Sequence, residues 1–230
     1  MSRARLEVSS RETERTRGAY DRSSRFYDVQ EWLPEKLAFR KWRRQLWAQV
    51  PNGTVLEVGV GTGKNLAYYG DGHSVVAIDL SPKMLAKAQR LAERKGIPVD
   101  LRVMDAQALE FADATFGSAV STFVFCSVPD PVLGLLEIAR VLRPGGRAYL
   151  LEHVLSHKQP MRWVMQRLNG LIRATAGANI NRDTVSNVKA AGFTVIEERD
   201  LFSDVVKLIV AEKPTASEQV PPPPLTEVPA

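Results

Sequence analysis

Between residues 54 and 153, short apolar runs alternate with longer stretches of mixed polarity. The runs at 55–58, 75–78, 99–104, 118–125 and 147–153 have the length and β-branched content of strands, and amphipathic segments of helical spacing separate them. Strand and helix alternating four times over predict an α/β fold built on a doubly wound parallel sheet. Upstream, residues 20–50 read as helical, with Trp32, Leu33, Leu37, Phe39, Trp42, Leu46 and Trp47 as the apolar positions and Pro34 splitting the run. Residues 1–17 alternate charges and are expected to fray or to be loosely helical. Downstream, 160–175 reads as a helix and 183–191 as a short helix closed by Gly192. Residues 193–199 and 204–212 read as a final antiparallel pair. The pattern divides the chain into an N-terminal helical cap at 1–48, one main domain at 49–213 and a tail at 214–230. The tail holds four successive prolines, Pro221 to Pro224, and has no folding pattern.

The candidate chemistry sits where the first strand ends. Glu57 is followed by Gly59, Gly61 and Gly63, and the second strand ends in Asp79. Glycine at alternate positions allows a tight bend and a close ligand approach. A carboxylate at the tip of the neighbouring strand is placed to accept from a ribose diol. The phosphate-cradling G-x-x-x-x-G-K-[ST] loop is absent, because Gly63-Lys64 is followed by Asn65 and Val58 stands five positions before Gly63. A pyrophosphate suits this loop poorly, since Glu57 would meet it with like charge. A cofactor with a ribose, an ammonium group and no phosphate suits it, and S-adenosylmethionine is that molecule. A glycine-rich turn with no ligand is the bland alternative. The third strand ends in Asp105-Ala106, where an acid can accept from an adenine amino group or cap the turn that follows.

These residues resemble the class I S-adenosylmethionine-dependent methyltransferases. The likeness rests on Leu56-Glu57-Val58-Gly59-Val60-Gly61-Thr62-Gly63, on Ala77-Ile78-Asp79-Leu80-Ser81-Pro82-Lys83-Met84-Leu85, on Met104-Asp105-Ala106 and on Val141-Leu142-Arg143-Pro144-Gly145-Gly146. It implies a seven-stranded, mostly parallel, Rossmann-like sheet with an N-terminal helical cap. It also implies that the cofactor is held by Glu57, Gly59, Gly61, Gly63, Asp79, Leu80, Met84, Asp105, Ala106 and Thr122, although Met84 would serve equally as core. The segment from Tyr20 to Asp28 is similar to the entry segment of quinone and phospholipid methyltransferases, which makes Tyr20 and Tyr27 lid candidates or simply packed helix residues. His153, at the end of the fifth strand, would lie near the transferable methyl as a general base or sit as a core histidine. Cys126 reads as a small apolar lining residue. Direct displacement needs alignment more than covalent help, and three scattered histidines with one cysteine offer no metal site.

Charge then narrows the acceptor. The formal net charge of +5 lies entirely within residues 1–47, which carry twelve Lys/Arg against seven Asp/Glu. Between Glu152 and Asp183 there is no acid, yet there are Lys158, Arg162, Arg167, Arg173 and Arg182. A basic amphipathic helix at 160–175 bearing Trp163 suits an anionic membrane surface; a core-packed helix with an arginine face is the alternative. No run of about 18 apolar residues is present, the N-terminus lacks an apolar signal core, and one cysteine allows no internal disulfide. The expectation is a cytoplasmic protein with a peripheral contact to the inner face of the membrane. Further fragments, including Leu151-Glu152-His153-Val154 and Asn181-Arg182, resemble a subgroup with bacterial phosphatidylethanolamine N-methyltransferases and alkyl-thiol methyltransferases. That resemblance implies a lipid or small-molecule acceptor and a phosphate-holding Arg182. A nucleic-acid reading is disfavoured, because the Asn/Asp-Pro-Pro-aromatic motif is missing.

Overall fold

The computed structural model describes residues 10–30, 38–176 and 179–215, with side chains described at 12–22, 38–170 and 179–215. In chain order the elements are α1 (Ser10–Gln30), α2 (Arg40–Trp47), β1 (Gly53–Val58), β2 (His73–Asp79), α3 (Pro82–Lys95), β3 (Asp100–Val103), β4 (Phe116–Thr122), α4 (Pro131–Val141), β5 (Leu142–His153), α5 (Met161–Ala176), α6 (Thr184–Ala190), β6 (Thr194–Phe202) and β7 (Val206–Glu212). They form one seven-stranded sheet in the order β3-β2-β1-β4-β5-β7-β6. The first five strands run parallel, and β7 is antiparallel to both β5 and β6.

Local chemistry explains the boundaries. Ser81 caps α3 by accepting from the Met84 N–H (3.1 Å), with Pro82 in the first turn and Gly96 in the left-handed conformation at the far end. Asp130 caps α4 in the same way through the Leu133 N–H (3.0 Å). Several boundaries depart from the sequence expectation, among them the end of β6, which runs on from residue 199 to Phe202. Helix α1 already begins at Ser10. Strand β4 stops at Thr122 instead of running to residue 125, because Phe123 takes a φ of 59° and turns the chain out of the sheet. Strand β5 extends back through Pro144-Gly145-Gly146, since Gly145 at φ 74° keeps its N–H on the Lys213 carbonyl. Trp32, Leu33, Pro34 and Leu37 lie outside the described residues, as do residues 216–230.

Both faces of the sheet are covered, as parallel strands require. On one face Leu56, Val58, Ile78, Ala119 and Leu150 meet Leu135 and Ile138 of α4 and Val188 of α6. On the other, Val55, Ala77, Val120 and Leu151 meet Trp42, Leu46 and Trp47 of α2 and Ala88 of α3. Alternation along β1 therefore points Glu57 to the α2 side, and Val58 to the opposite side. Helix α1 lies against α3, above the C-terminal ends of the strands. Leu46 is completely buried in the cluster that packs α2 on the sheet. Leu46→Ala is expected to cost about 2–5 kcal/mol of stability, read by urea unfolding.

Candidate functional site

A cavity opens at the C-terminal edge of the sheet, where β1 lies between β2 and β4 and the strand order reverses. Its walls come from Gly59 and Gly61 after β1, Asp79 and Leu80 after β2, Asp105 and Ala106 after β3, and Thr122 to Val124 after β4. Met84 of α3 closes the floor, while Thr16 and Tyr20 of α1 cover the top.

The loop around this cavity is drawn by Asp79. Its Oδ2 accepts from the Gly61 N–H and its Oδ1 from the Ser81 N–H, both at 2.8 Å. Burial pushes this carboxyl up, and the two amides oppose that shift. Gly59 is a close approach: at φ 73°, a Cβ there would stand 2.3 Å from Val124 Cγ2. Gly63 serves packing, because a Cβ would meet Leu66 Cδ1 at 2.6 Å, and Gly63 does not line the cavity. Asp105 accepts from the backbone N–H of Gln107 (2.9 Å) and, at 3.4 Å, from Thr13 of α1. Tyr20 and Ser127 share a hydrogen bond that ties α1 to the loop after β4 (2.5 Å).

Glu57 does not itself line the cavity. Its carboxylate accepts from Asn65 Nδ2 (2.7 Å) and from the Tyr69 hydroxyl, inside a buried network. Arg43 of α2 completes that network, with Nη1 donating to Asn65 Oδ1 (3.0 Å) and to Thr122 Oγ1 (2.7 Å). Burial pushes Glu57 from the ordinary 4.5 up to about 7, against the pull of Tyr69, Asn65 and the Arg43 charge. The sequence reading aims this carboxylate at a ligand ammonium; strand alternation puts it on the same face as Asp79 and Thr122, and its partner Asn65 also donates to the cavity-lining Thr122 (3.0 Å).

The remaining candidates divide. Tyr20 lines the cavity, whereas the Tyr27 side chain lies outside the described residues. The His153 ring packs on Phe123 (4.9 Å between centroids), behind the wall rather than in it, and burial lowers its pKa. Arg182 borders a second, polar cavity and donates through Nη2 to the Val128 and Pro129 carbonyls (3.0 and 3.2 Å). Cys126 is buried beneath the wall, its thiol pushed up to about 12, chiefly by burial. No thiolate nucleophile is available there at neutral pH. The sequence reading missed Thr16, Phe123, Pro129 and the buried partners Arg43, Asn65 and Tyr69. Only the placement of 123–129 just past a strand's C-terminal end could have pointed to part of this set.

Two expectations follow from this geometry. Gly59→Ala drives a methyl into Val124 and is expected to destabilise the chain by about 1–3 kcal/mol, read as a lowered Tm. Glu57 and Glu152, the latter also raised by burial from 4.5 to about 7, hold protons more tightly folded than unfolded. Their stabilising contribution is therefore full below about pH 4.5 and lost as the pH rises through about 7. Glu57→Gln removes one share of this effect. Its Tm is expected to fall less between about pH 5 and about pH 8 than that of the parent chain.

Comparison with known proteins bears on what fills the cavity. A methyltransferase domain family matches residues 56–150. A phosphatidylethanolamine N-methyltransferase of Cereibacter sphaeroides is 43% identical over 118 residues, covering 50% of this chain and 58% of that protein. The match thus spans little more than half of that relative. A thiol S-methyltransferase of Homo sapiens is 31% identical, covering 71% of each chain. A demethylmenaquinone methyltransferase of Thermus thermophilus is 34% identical, covering 66% of this chain and 76% of that one. In fold, the chain is similar to a solved S-adenosylmethionine-dependent methyltransferase of Thermotoga maritima, described as a possible histamine N-methyltransferase. The TM-score is 0.67 at 18% identity, covering 86% and 99% of the two chains. With the glycine loop, the Asp79 turn and the cavity at the switch point in place, these relatives assign the chain to the class I S-adenosylmethionine-dependent methyltransferases, with S-adenosylmethionine as its cofactor.

Proposed function

We propose that the chain transfers a methyl group from S-adenosylmethionine to a lipid-borne amine, with phosphatidylethanolamine as the acceptor. Asp79 would take the ribose hydroxyls, Asp105 the adenine amino group, and Gly59 and Gly61 the close backbone approach. Leu80, Met84, Ala106 and Thr122 would supply the walls of the cofactor site. The neutral amine attacks the sulfonium methyl in line; the sulfur–methyl bond breaks and S-adenosylhomocysteine leaves. The methylated amine then releases a proton.

One observation carries the acceptor. A polar cavity adjoins the first, sharing Thr16, Ser127 and Pro129 with it, and its walls mix Arg15, Arg22 and Arg182 with Glu12 and Glu14. Both signs of charge suit a zwitterionic headgroup that pairs a phosphate with an amine. Gly170 of α5 borders the same cavity, and α5 presents Met161, Trp163, Val164 and Leu168 to solvent, with Trp163 55% exposed. Arg167 lies over the Trp163 ring (5.4 Å). An apolar stripe flanked by arginines supports contact with an anionic lipid surface. Among the described residues, no helix is long and apolar enough to cross a membrane. The apolar inner wall at Phe123, Val124 and Val128 also favours a second reading, a small thiol or quinone acceptor, in keeping with the names of the other relatives.

The test is transfer of labelled methyl to vesicles containing phosphatidylethanolamine. Label is expected in the methylated lipids, at a rate that rises with anionic lipid and falls with salt. Arg15→Ala is expected to raise the KM for lipid about tenfold with little change in kcat. Label confined to an added thiol or quinone overturns the lipid reading.

A further inference from the structure

The most unusual buried group beyond the cofactor loop is Glu152, near the end of β5. It is wholly inaccessible to solvent. One oxygen, Oε1, accepts from Ser121 Oγ (3.0 Å) and from the backbone N–H groups of Val124 (3.1 Å) and Phe125 (3.3 Å). The other, Oε2, has no hydrogen-bond partner among the described residues. An aliphatic side chain would serve the core there at less cost, since an incompletely paired buried carboxyl is destabilising. What the carboxyl adds is an acceptor for two amides that have left the sheet. After Phe123 turns at φ 59°, Val124 and Phe125 lose their strand partners, and Glu152 replaces them.

We infer that Glu152 is a positioning residue, which acts through the backbone of Val124 and Phe125 to fix the wall where methyl donor and acceptor meet. That loop contributes Phe123, Val124, Ser127, Val128 and Pro129 to the cavity. The Val124 side chain lies directly over Gly59 of the cofactor loop. The loop is held from its other side by Asn179, whose backbone N–H donates to the Cys126 carbonyl (2.7 Å). A wall clamped at both ends sets the separation of the reacting atoms, and an error of about 1 Å in that separation costs on the order of 100-fold in rate. The inference rests on the family's chemistry and does not depend on which acceptor is used.

Cys126 is the chain's one cysteine, and it is buried within this loop. The rate at which a thiol reagent labels it in the intact protein therefore reports opening of the wall. Glu152→Ala is expected to raise that rate about tenfold while changing the Kd for S-adenosylmethionine by less than about threefold. Transfer to phosphatidylethanolamine vesicles is expected to fall in kcat by at least about tenfold. Glu152→Gln keeps an acceptor oxygen for the two amides and is expected to restore all three readings to within about threefold of the parent. Should Glu152→Ala fail to fold, Glu152→Asp, which withdraws the carboxyl by one methylene, carries the same expectation. Unchanged Cys126 labelling overturns the inference, as does a loss of cofactor binding as large as the loss of transfer. A parent chain that transfers nothing to phosphatidylethanolamine refutes the acceptor reading instead, and labelling with cofactor binding then decides the role of Glu152.

Discussion

A guanidinium can be buried only where acceptors or an opposite charge surround it, and Arg43 finds them in Asn65, Thr122 and the charge of Glu57. It joins α2 to Asn65 beyond the glycine loop and to Thr122 at the tip of β4, while Asn65 reaches Glu57 on β1. Four separate pieces of chain are thus cross-linked within one low-dielectric pocket, where hydrogen bonds are strong and an unmatched group is costly. The glycine loop, the wall at Thr122 and the packing of α2 depend on the same few contacts. Phe123 lies under the Arg43 charge as well, at 5.7 Å, so the first residue of the acceptor-side wall is tied into the same arrangement.

Three carboxyls, Asp79 half-buried and Glu57 and Glu152 buried, show how surroundings divide labour among chemically equal groups. Asp79 meets two backbone amides at the mouth of the cavity and shapes a turn. Glu57 faces the side chains of Asn65 and Tyr69 and holds a network together. Glu152 meets two amides of a loop and leaves one oxygen idle. All three are pushed up by burial, yet only Asp79 borders the space that a ligand would enter.

The parallel frame was legible because each strand is an apolar run and three of the turns carry their own marker: Gly59-Val60-Gly61, Asp79 with Ser81-Pro82, and Asp105-Ala106. Placement of Asp79, Met84, Asp105, Ala106 and Thr122 around one cavity follows from those markers, since a strand's C-terminal end fixes where the next few residues lie. The direction of a side chain within a strand is harder to read when both faces are buried. Glu57 sits between Leu56 and Val58, and nothing in that triplet says that Asn65 and Tyr69 will take its carboxylate. His153 illustrates a related blind spot, because the intervening Phe123 owes its position to a backbone reversal that an apolar run conceals. Arg43, Asn65 and Tyr69 come from three separate segments, and their union is a tertiary fact with no local signature.

The strand order carries a consequence for how the molecule is made. Strand β7 is the last of the described strands in chain order, yet it lies inside the sheet between β5 and β6. Its Leu208 and Ile209 enter the cores on opposite faces. Until residues 206–212 leave the ribosome, the long edge of β5 stays open, and neither core is complete. A nascent chain at that stage presents a continuous row of unpaired amides and carbonyls beside exposed aliphatic side chains, the state most prone to pair with a neighbour. Completion of the fold thus waits on the hairpin of β6 and β7, whose second strand closes the open edge of β5.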